Sequence, residues 1–300
     1  MNKRKAWLGA LRLRTLPLAL ACIMLGGFLA AADGALNWAV VILCVVTAVF
    51  LQILSNLAND YGDSVHGADH GEREGPQRAV QSGVITAQEM KRAMGLFAGL
   101  SAVSGLALVV VAFGLGALPL VLLFLLLGAA SIWAAVNYTA GKNPYGYAGL
   151  GDLFVLVFFG LVGVLGTYFL QALSLQWMLL LPAASAGLMA VAVLNVNNIR
   201  DIGSDAQAGK RTIPVRLGPV KARVYHWLLL GAAFVLAGLY GVVTFQSVWQ
   251  FLFVLALPLL LWQGTAVTQT TDPLKLNPLL KQMVFIALIF DFLLGLGQIL

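Results

Sequence analysis

Nine stretches of the chain are apolar for long enough to cross a bilayer as helices. They run at about 16–32, 37–57, 93–113, 118–138, 152–170, 177–198, 225–243, 247–264 and 282–300. A hydrocarbon core of about 30 Å takes about 20 apolar residues in a helix, with roughly 17–25 tolerated. Glycine and proline inside several stretches (Gly26, Gly27, Pro182, Pro258) are tolerable in lipid. The connections are of two kinds, and they alternate. Those near 33–36, 114–117, 171–176 and 244–246 are short and contain no Lys or Arg. Those near 58–92, 139–151, 199–224 and 265–281, with the N-terminus, hold all 18. The positive-inside bias then places the N-terminus in the cytoplasm and, after nine spans, the C-terminus outside. The pattern predicts an all-α, polytopic transmembrane helical bundle, with 1–300 forming one domain.

Composition narrows the class further. Of the residues, 60% are hydrophobic and 10% charged, and mean hydropathy is +0.91. Soluble domains carry about 25% charged residues, so a soluble enzyme, a disordered tail and a disulfide scaffold are all excluded. A net charge of +6 and a pI of 9.5 would point to nucleic acid in a soluble chain. Here they reflect topology, and no nucleic-acid partner is expected. The two cysteines, Cys22 and Cys44, lie within apolar runs, which argues against a disulfide or zinc framework. No small-residue cleavage site follows the first apolar run, which reads as a span rather than a signal peptide. Ten of the twelve acidic residues lie on the cationic side or at its helix ends. Asp33 lies on the other side. Asp291 falls in the middle of the ninth span, where a carboxyl is costly unless protonated or paired with a neighbouring helix.

Two segments repeat a theme. The second span ends in Asn56, Asn59, Asp60 and Asp63, and the sixth in Asn195, Asn197, Asn198 and Asp201, with Asp205 following. Each is followed by a basic residue (Arg78; Arg211), a glycine (Gly83; Gly218) and a basic pair (Lys91 and Arg92; Lys221 and Arg223). A parallel duplication of about 37–138 and 177–264 would produce this pattern, as would chance likeness of polar helix ends. On a helix, Asn56, Asn59, Asp60 and Asp63 share one face, and Asn197, Asn198, Asp201 and Asp205 fall within roughly 100° of one another. Two oxygen-rich faces at one membrane depth are expensive unless a cation sits between them, the alternative being solvated helix ends. Hard carboxylate and amide oxygens select Mg²⁺, which completes its shell with water and substrate phosphate. Arg14, Arg73, Arg78, Lys142, Arg200, Lys210 and Arg211 surround these clusters. No GxxxxGK[ST] loop or GxGxxG fingerprint accompanies them. A diphosphate with its tail in the membrane suits this setting. His66 and His70 stand i, i+4 apart without an HExxH motif and read as solvated loop residues. The stretch from Tyr138 to Asp152 (YTAGKNPYGYAGLGD) reads as a structured loop that belongs to a site.

NDYGD with a following Asp69, and RDIGSD with a following GKRT, resemble the two aspartate-rich motifs of the UbiA-type intramembrane prenyltransferases. The family patterns are NDxxDxxxD and DxxxD. Asn59, Asp60 and Asp63 match the first, but Gly67 stands where its last aspartate belongs and Asp69 follows two residues later. Asp201 and Asp205 match the second. The displaced aspartate resembles the branch of 1,4-dihydroxy-2-naphthoate polyprenyltransferases. So do LRLRTLPL, SNLANDYGD, GPQRAVQSGVIT, KNPYGYAGLGD and NVNNIRDIGSD, from about Leu11 to about Arg223. The resemblance implies Mg²⁺ as cofactor, held by Asn59, Asp60, Asp63, Asp69, Asp201 and Asp205. It implies diphosphate donors among Arg78, Lys142, Lys210, Arg200 and Arg14, with Asp63, Asp201 and Lys142 catalytic. Tyr138, Tyr145 and Asn195 become candidates for the aromatic acceptor. The implied substrates are a polyprenyl diphosphate and 1,4-dihydroxy-2-naphthoate, joined with loss of CO₂ to give demethylmenaquinol. The implied setting is the lipid of a bacterial inner membrane, with the site facing the cytoplasm. Transfer to 4-hydroxybenzoate or to haem shares the metal motifs. A secondary transporter would also show an internal repeat, but with its site near the bilayer midplane.

Overall fold

The apolar stretches become nine helices of membrane-spanning length among the residues described by the computed structural model, which are 2–67, 78–114 and 116–300. In chain order they are α1 (Lys3–Ala32), α2 (Trp38–Val65), α3 (Ala87–Phe113), α4 (Leu118–Asn137), α5 (Gly151–Ala172), α6 (Trp177–Arg200), α7 (Ile213–Val243), α8 (Val248–Gln269) and α9 (Pro273–Leu296). Those residues contain no strand. Helix ends depart from the hydropathy boundaries where polar chemistry extends a helix. Helix α3 begins at Ala87 rather than near 93, because Thr86 and Glu89 form a reciprocal capping box. Thr86 Oγ1 accepts from Glu89 N at 3.2 Å, and Glu89 Oε2 accepts from Thr86 N at 3.0 Å. Helix α7 begins at Ile213 rather than near 225. It breaks at Gly218, whose φ of 75° favours glycine, and restarts with Pro219, which has no N–H to leave unpaired.

Helix α1 is also broken. Its first segment, Lys3–Leu11, ends at Arg12, which takes a left-handed backbone (φ 46°) that costs an L-residue about 1–3 kcal/mol. Hydrogen bonds hold the break. Thr15 donates to Arg12 O from both its N–H and its hydroxyl at 2.9 Å, and Asn56 Nδ2 donates to Leu11 O and Thr15 Oγ1, both at 3.0 Å.

Helix α6 runs through the main core, where α1 and α5 to α9 meet. Its buried face is built from Ala183, Ala186, Met189, Ala190, Ala192 and Val196. Small residues let neighbouring backbones approach closely, which substitutes for a hydrophobic drive that lipid does not supply. A second core joins the start of α1, α2 and α3 with Ala79 and Ile85. The outer surface is apolar: Val103, Leu126 and Leu228 are each more than 60% exposed. Nine apolar helices carrying such a surface make the chain an integral membrane protein.

Asp291 sits in α9 where that helix packs on α1, close to the edge contact of Phe28 with Phe292 at 5.6 Å. It is 1% exposed, and its Oδ1 has no hydrogen-bond partner. A buried polar atom without a partner costs about 1–3 kcal/mol. Replacing Asp291→Leu therefore raises the thermal unfolding temperature in detergent and leaves activity intact. A lower unfolding temperature would show that the carboxyl makes a contact the fold requires.

Candidate active site

One cavity of about 540 Å³ lies among α1 to α6, with Leu280, Lys281 and Val284 of α9 closing one side. It follows a single face of α2 through Cys44, Thr47, Ala48, Leu51, Gln52, Ser55, Asn56, Asn59 and Asp63. At 1.5 Å per residue, that face runs for about 28 Å. The end at Asp63 is polar. The walls beyond it are apolar and include Leu18, Ile23, Phe158 and Leu170. Cys22 and Cys44 also face the cavity, and both are free thiols. At the far end, Phe124 packs against Phe113 (5.1 Å) and Phe169 (5.7 Å).

The polar end is assembled from both aspartate-bearing segments and from the loop between α4 and α5. Asp63 pairs with Arg78, accepts a hydrogen bond from Tyr147 Oη at 2.9 Å, and has Lys210 Nζ 2.9 Å from its Oδ1. Lys210 Nζ also lies 3.2 Å from Asp205 Oδ1 and 4.9 Å above the Tyr147 ring. Asp201 is gripped by Arg200 through two bonds, Nε to Oδ1 at 2.7 Å and Nη2 to Oδ2 at 2.5 Å. Burial pushes the Asp205 carboxyl up to about 6 against the pull of Lys210, and Asp201 and Asp63 add to the rise. The Tyr138, Tyr145 and Tyr147 phenols are all pushed upward, chiefly by burial, so they stay protonated as donors.

Close packing sets this geometry. A Cβ at Gly62 would collide with the Thr139 backbone, so glycine there lets α2 seat directly on the loop that carries Tyr147. That loop folds back on itself through Tyr145 N to Asn137 O (3.2 Å) and Gly146 N to Tyr138 O (3.0 Å). Arg211 N donates to Tyr147 O at 2.8 Å and ties the loop to the second aspartate segment.

The cavity wall contains Asn59, Asp63, Asp201, Asp205, Arg14, Arg78, Lys210, Tyr138 and Tyr145 among the residues expected from sequence. The others lie elsewhere. Asp60 is turned away from its three neighbours on α2, and its carboxylate accepts from Ala79 N (3.1 Å) and Val80 N (3.0 Å), holding the segment that carries Arg78. Asn195 stands two residues before Asn197, on the opposite side of α6, and donates to Ala222 O of α7 at 3.2 Å. Arg200 lies behind the wall, holding Asp201 while bonded to Asn197 Oδ1 (2.9 Å) and Asn277 Oδ1 (3.0 Å). Lys142 is exposed at the tip of the folded-back loop, outside the wall. Asp69, like His70 and Arg73, is outside the described residues. Many wall residues were absent from the expectation, and two charged or phenolic ones lie in motifs it singled out. They are Arg12, in LRLRTLPL, and Tyr147, in KNPYGYAGLGD.

Among the described residues, no three carboxylate, thiol or imidazole groups form a ligand set by themselves. Mg²⁺ needs only one or two carboxylates when water and phosphate complete its shell. Oxygen donors from Asp63, Asp205 and Asp201 at one end of a water-poor cavity fit that requirement. Tyr147→Phe removes one hydrogen bond to a charged group, a loss of about 1.5–3 kcal/mol. The unfolding temperature should drop by a few degrees, and turnover measured below it in detergent should fall by about tenfold or more. Unchanged turnover would remove Tyr147 from the site.

The sequence pattern of the UbiA prenyltransferase family matches residues 19–289. The chain is 50% identical to the 1,4-dihydroxy-2-naphthoate octaprenyltransferase of Escherichia coli K12, over 99% of this chain and 96% of that protein. It is 46% identical to the enzyme of the same name from Haemophilus influenzae, over 100% and 97%. The fold is similar to that of a UbiA homologue from Archaeoglobus fulgidus bound to DMAPP and Mg²⁺, with a TM-score of 0.61 at 16% identity over 96% of this chain and 98% of that one. Helix order, the paired aspartate segments and these likenesses agree: the chain belongs to the UbiA prenyltransferase family.

Proposed function

We propose that the protein transfers a polyprenyl group from a polyprenyl diphosphate to 1,4-dihydroxy-2-naphthoate, with the ring's carboxyl leaving as CO₂, to give demethylmenaquinol. The observation that carries this reading is a buried, charge-paired mouth opening onto a long apolar cavity. It belongs to a chain half identical, over nearly its whole length, to a relative of that name. The concentration of Lys and Arg in alternate connections supports a mouth that faces the cytoplasm of a bacterial inner membrane.

The residues divide the work by position. Lys210 and Arg78 donate hydrogen bonds to the diphosphate oxygens, and Arg14 and Arg12 extend the cationic wall beside them. Asn59, Asp63, Asp201 and Asp205 would hold Mg²⁺, with Asp69 as a further candidate. When bound, the ion supplies positive charge against the negative charge that develops on the departing diphosphate. Departure leaves an allylic cation. Phe154 and Phe158, which continue the Tyr145 stack along the cavity wall, keep water from it, since water would quench it. The faces of Tyr138 and Tyr145 flank the same region. The Tyr145 ring is stacked on Phe154 at 3.8 Å, a surface suited to a flat aromatic acceptor and to a passing cation.

The deciding experiment is a competition in membranes containing the protein, Mg²⁺ and a polyprenyl diphosphate. 1,4-Dihydroxy-2-naphthoate and 4-hydroxybenzoate are offered together and the product is identified by mass. Demethylmenaquinol with released CO₂ is expected, and Asp201→Asn should abolish it in a protein that is still folded. Prenylated hydroxybenzoate would overturn the acceptor assignment and keep the donor site. A second measurement probes the far wall. Phe124→Ala should lower KM for longer prenyl diphosphates relative to shorter ones, and an unchanged chain-length profile would mean the tail does not reach Phe124.

A further inference from the structure

Among the described residues, the buried carboxylates at the mouth already hold cations before any substrate arrives. Three carboxylates, Asp63, Asp201 and Asp205, are paired with three cations, Arg78, Arg200 and Lys210, and each of these side chains is at most 12% exposed. A divalent ion entering this region alone would add two positive charges to a poorly solvated cluster whose carboxylates are already paired and which Arg12 and Arg14 flank, which is costly. It can bind well only if a cation yields its place or an anion enters with it.

The three cations are not equally free to yield. Arg200 is fixed by two bonds to Asp201 and by one each to Asn197 and Asn277. Arg78 is anchored to Asn59 O as well as to Asp63. Lys210 is a single ammonium on a flexible stem, and it bridges Asp63 Oδ1 (2.9 Å) and Asp205 Oδ1 (3.2 Å). Those two oxygens come from the two aspartate segments, and both belong to residues that would hold the ion.

We propose that Lys210 competes with the divalent cation for Asp63 and Asp205, so that tight metal binding depends on a diphosphate that accepts the displaced ammonium. The inference rests on the donor site proposed above. It adds that Lys210 couples the two ligands rather than only contacting one. Because coupling is reciprocal, metal and diphosphate each raise the affinity of the other. Neither is held strongly alone, and the carboxylates do not retain a metal between turnovers.

The test uses the full chain in detergent and Mn²⁺ binding read by electron paramagnetic resonance. Mn²⁺ is titrated alone and then with farnesyl thiolodiphosphate, an allylic diphosphate analogue that does not ionise. The original protein should bind Mn²⁺ about tenfold or more tightly with the analogue present. K210M should bind Mn²⁺ alone about tenfold more tightly than the original protein, and its gain from the analogue should shrink to below about threefold. K275M removes the same charge at an exposed position and should match the original protein in both titrations. If K210M does not fold, K210Q carries the same expectation. A K210M or K210Q site that binds Mn²⁺ no more tightly overturns the competition while leaving the donor site standing. An original protein that binds no Mn²⁺ even with the analogue overturns both readings.

Discussion

The structure depends on compensating Asp63, a carboxylate 2% exposed at the end of a largely apolar helix. In a medium with little water, that charge needs partners from the protein. Its partners come from three separate stretches: Arg78 from the segment before α3, Tyr147 from the loop before α5, and Lys210 from the segment before α7. Satisfying one carboxylate therefore fixes where three connections lie. Those connections in turn close the mouth of the cavity and bring the second aspartate segment to the first.

Much of the architecture was legible from hydropathy, because a span in lipid must satisfy its backbone internally and so announces itself by length. Helix ends were less legible. Helix α2 runs to Val65 and not to 57, because its polar last turns find partners in distant loops that a local window does not see. The aspartate motifs marked where the polar mouth lies but not the orientation of every member. Asp60 follows Asn59 in sequence, yet its carboxylate serves two backbone N–H groups and not the cavity. Asn195 and Asn197 look alike in the sequence, but two residues on a helix point nearly opposite ways. Lys142 sits at a loop tip because of backbone bonds at 137–146 that no side-chain pattern reports. Tyr147 was missed for the related reason that its value lies wholly in tertiary contacts.

The two ends of the cavity are built on opposite principles. At the mouth, position is set by directional bonds, as in the Arg200 fork on Asp201 and its braces to Asn197 and Asn277. Along the walls it is set by side-chain volume and by an alanine-rich α6, without polar specificity. A reaction that cleaves a charged head group from an apolar tail needs this division. The head must be held in one place, whereas a repeating hydrocarbon offers nothing to hold by direction.

The order in which the ribosome delivers these pieces has a consequence for assembly. Asp63 emerges 84 residues before Tyr147 and 147 residues before Lys210. The pair with Arg78 can form once the segment before α3 is made, whereas the contact with Lys210 requires six helices to have been inserted first. A nascent chain stopped before Lys210 can pack α2 on α1 and α3 but lacks the ammonium that ties Asp63 to Asp205. The order of the chain thus supplies Asp63 with its cations one connection at a time, first Arg78 and then Lys210.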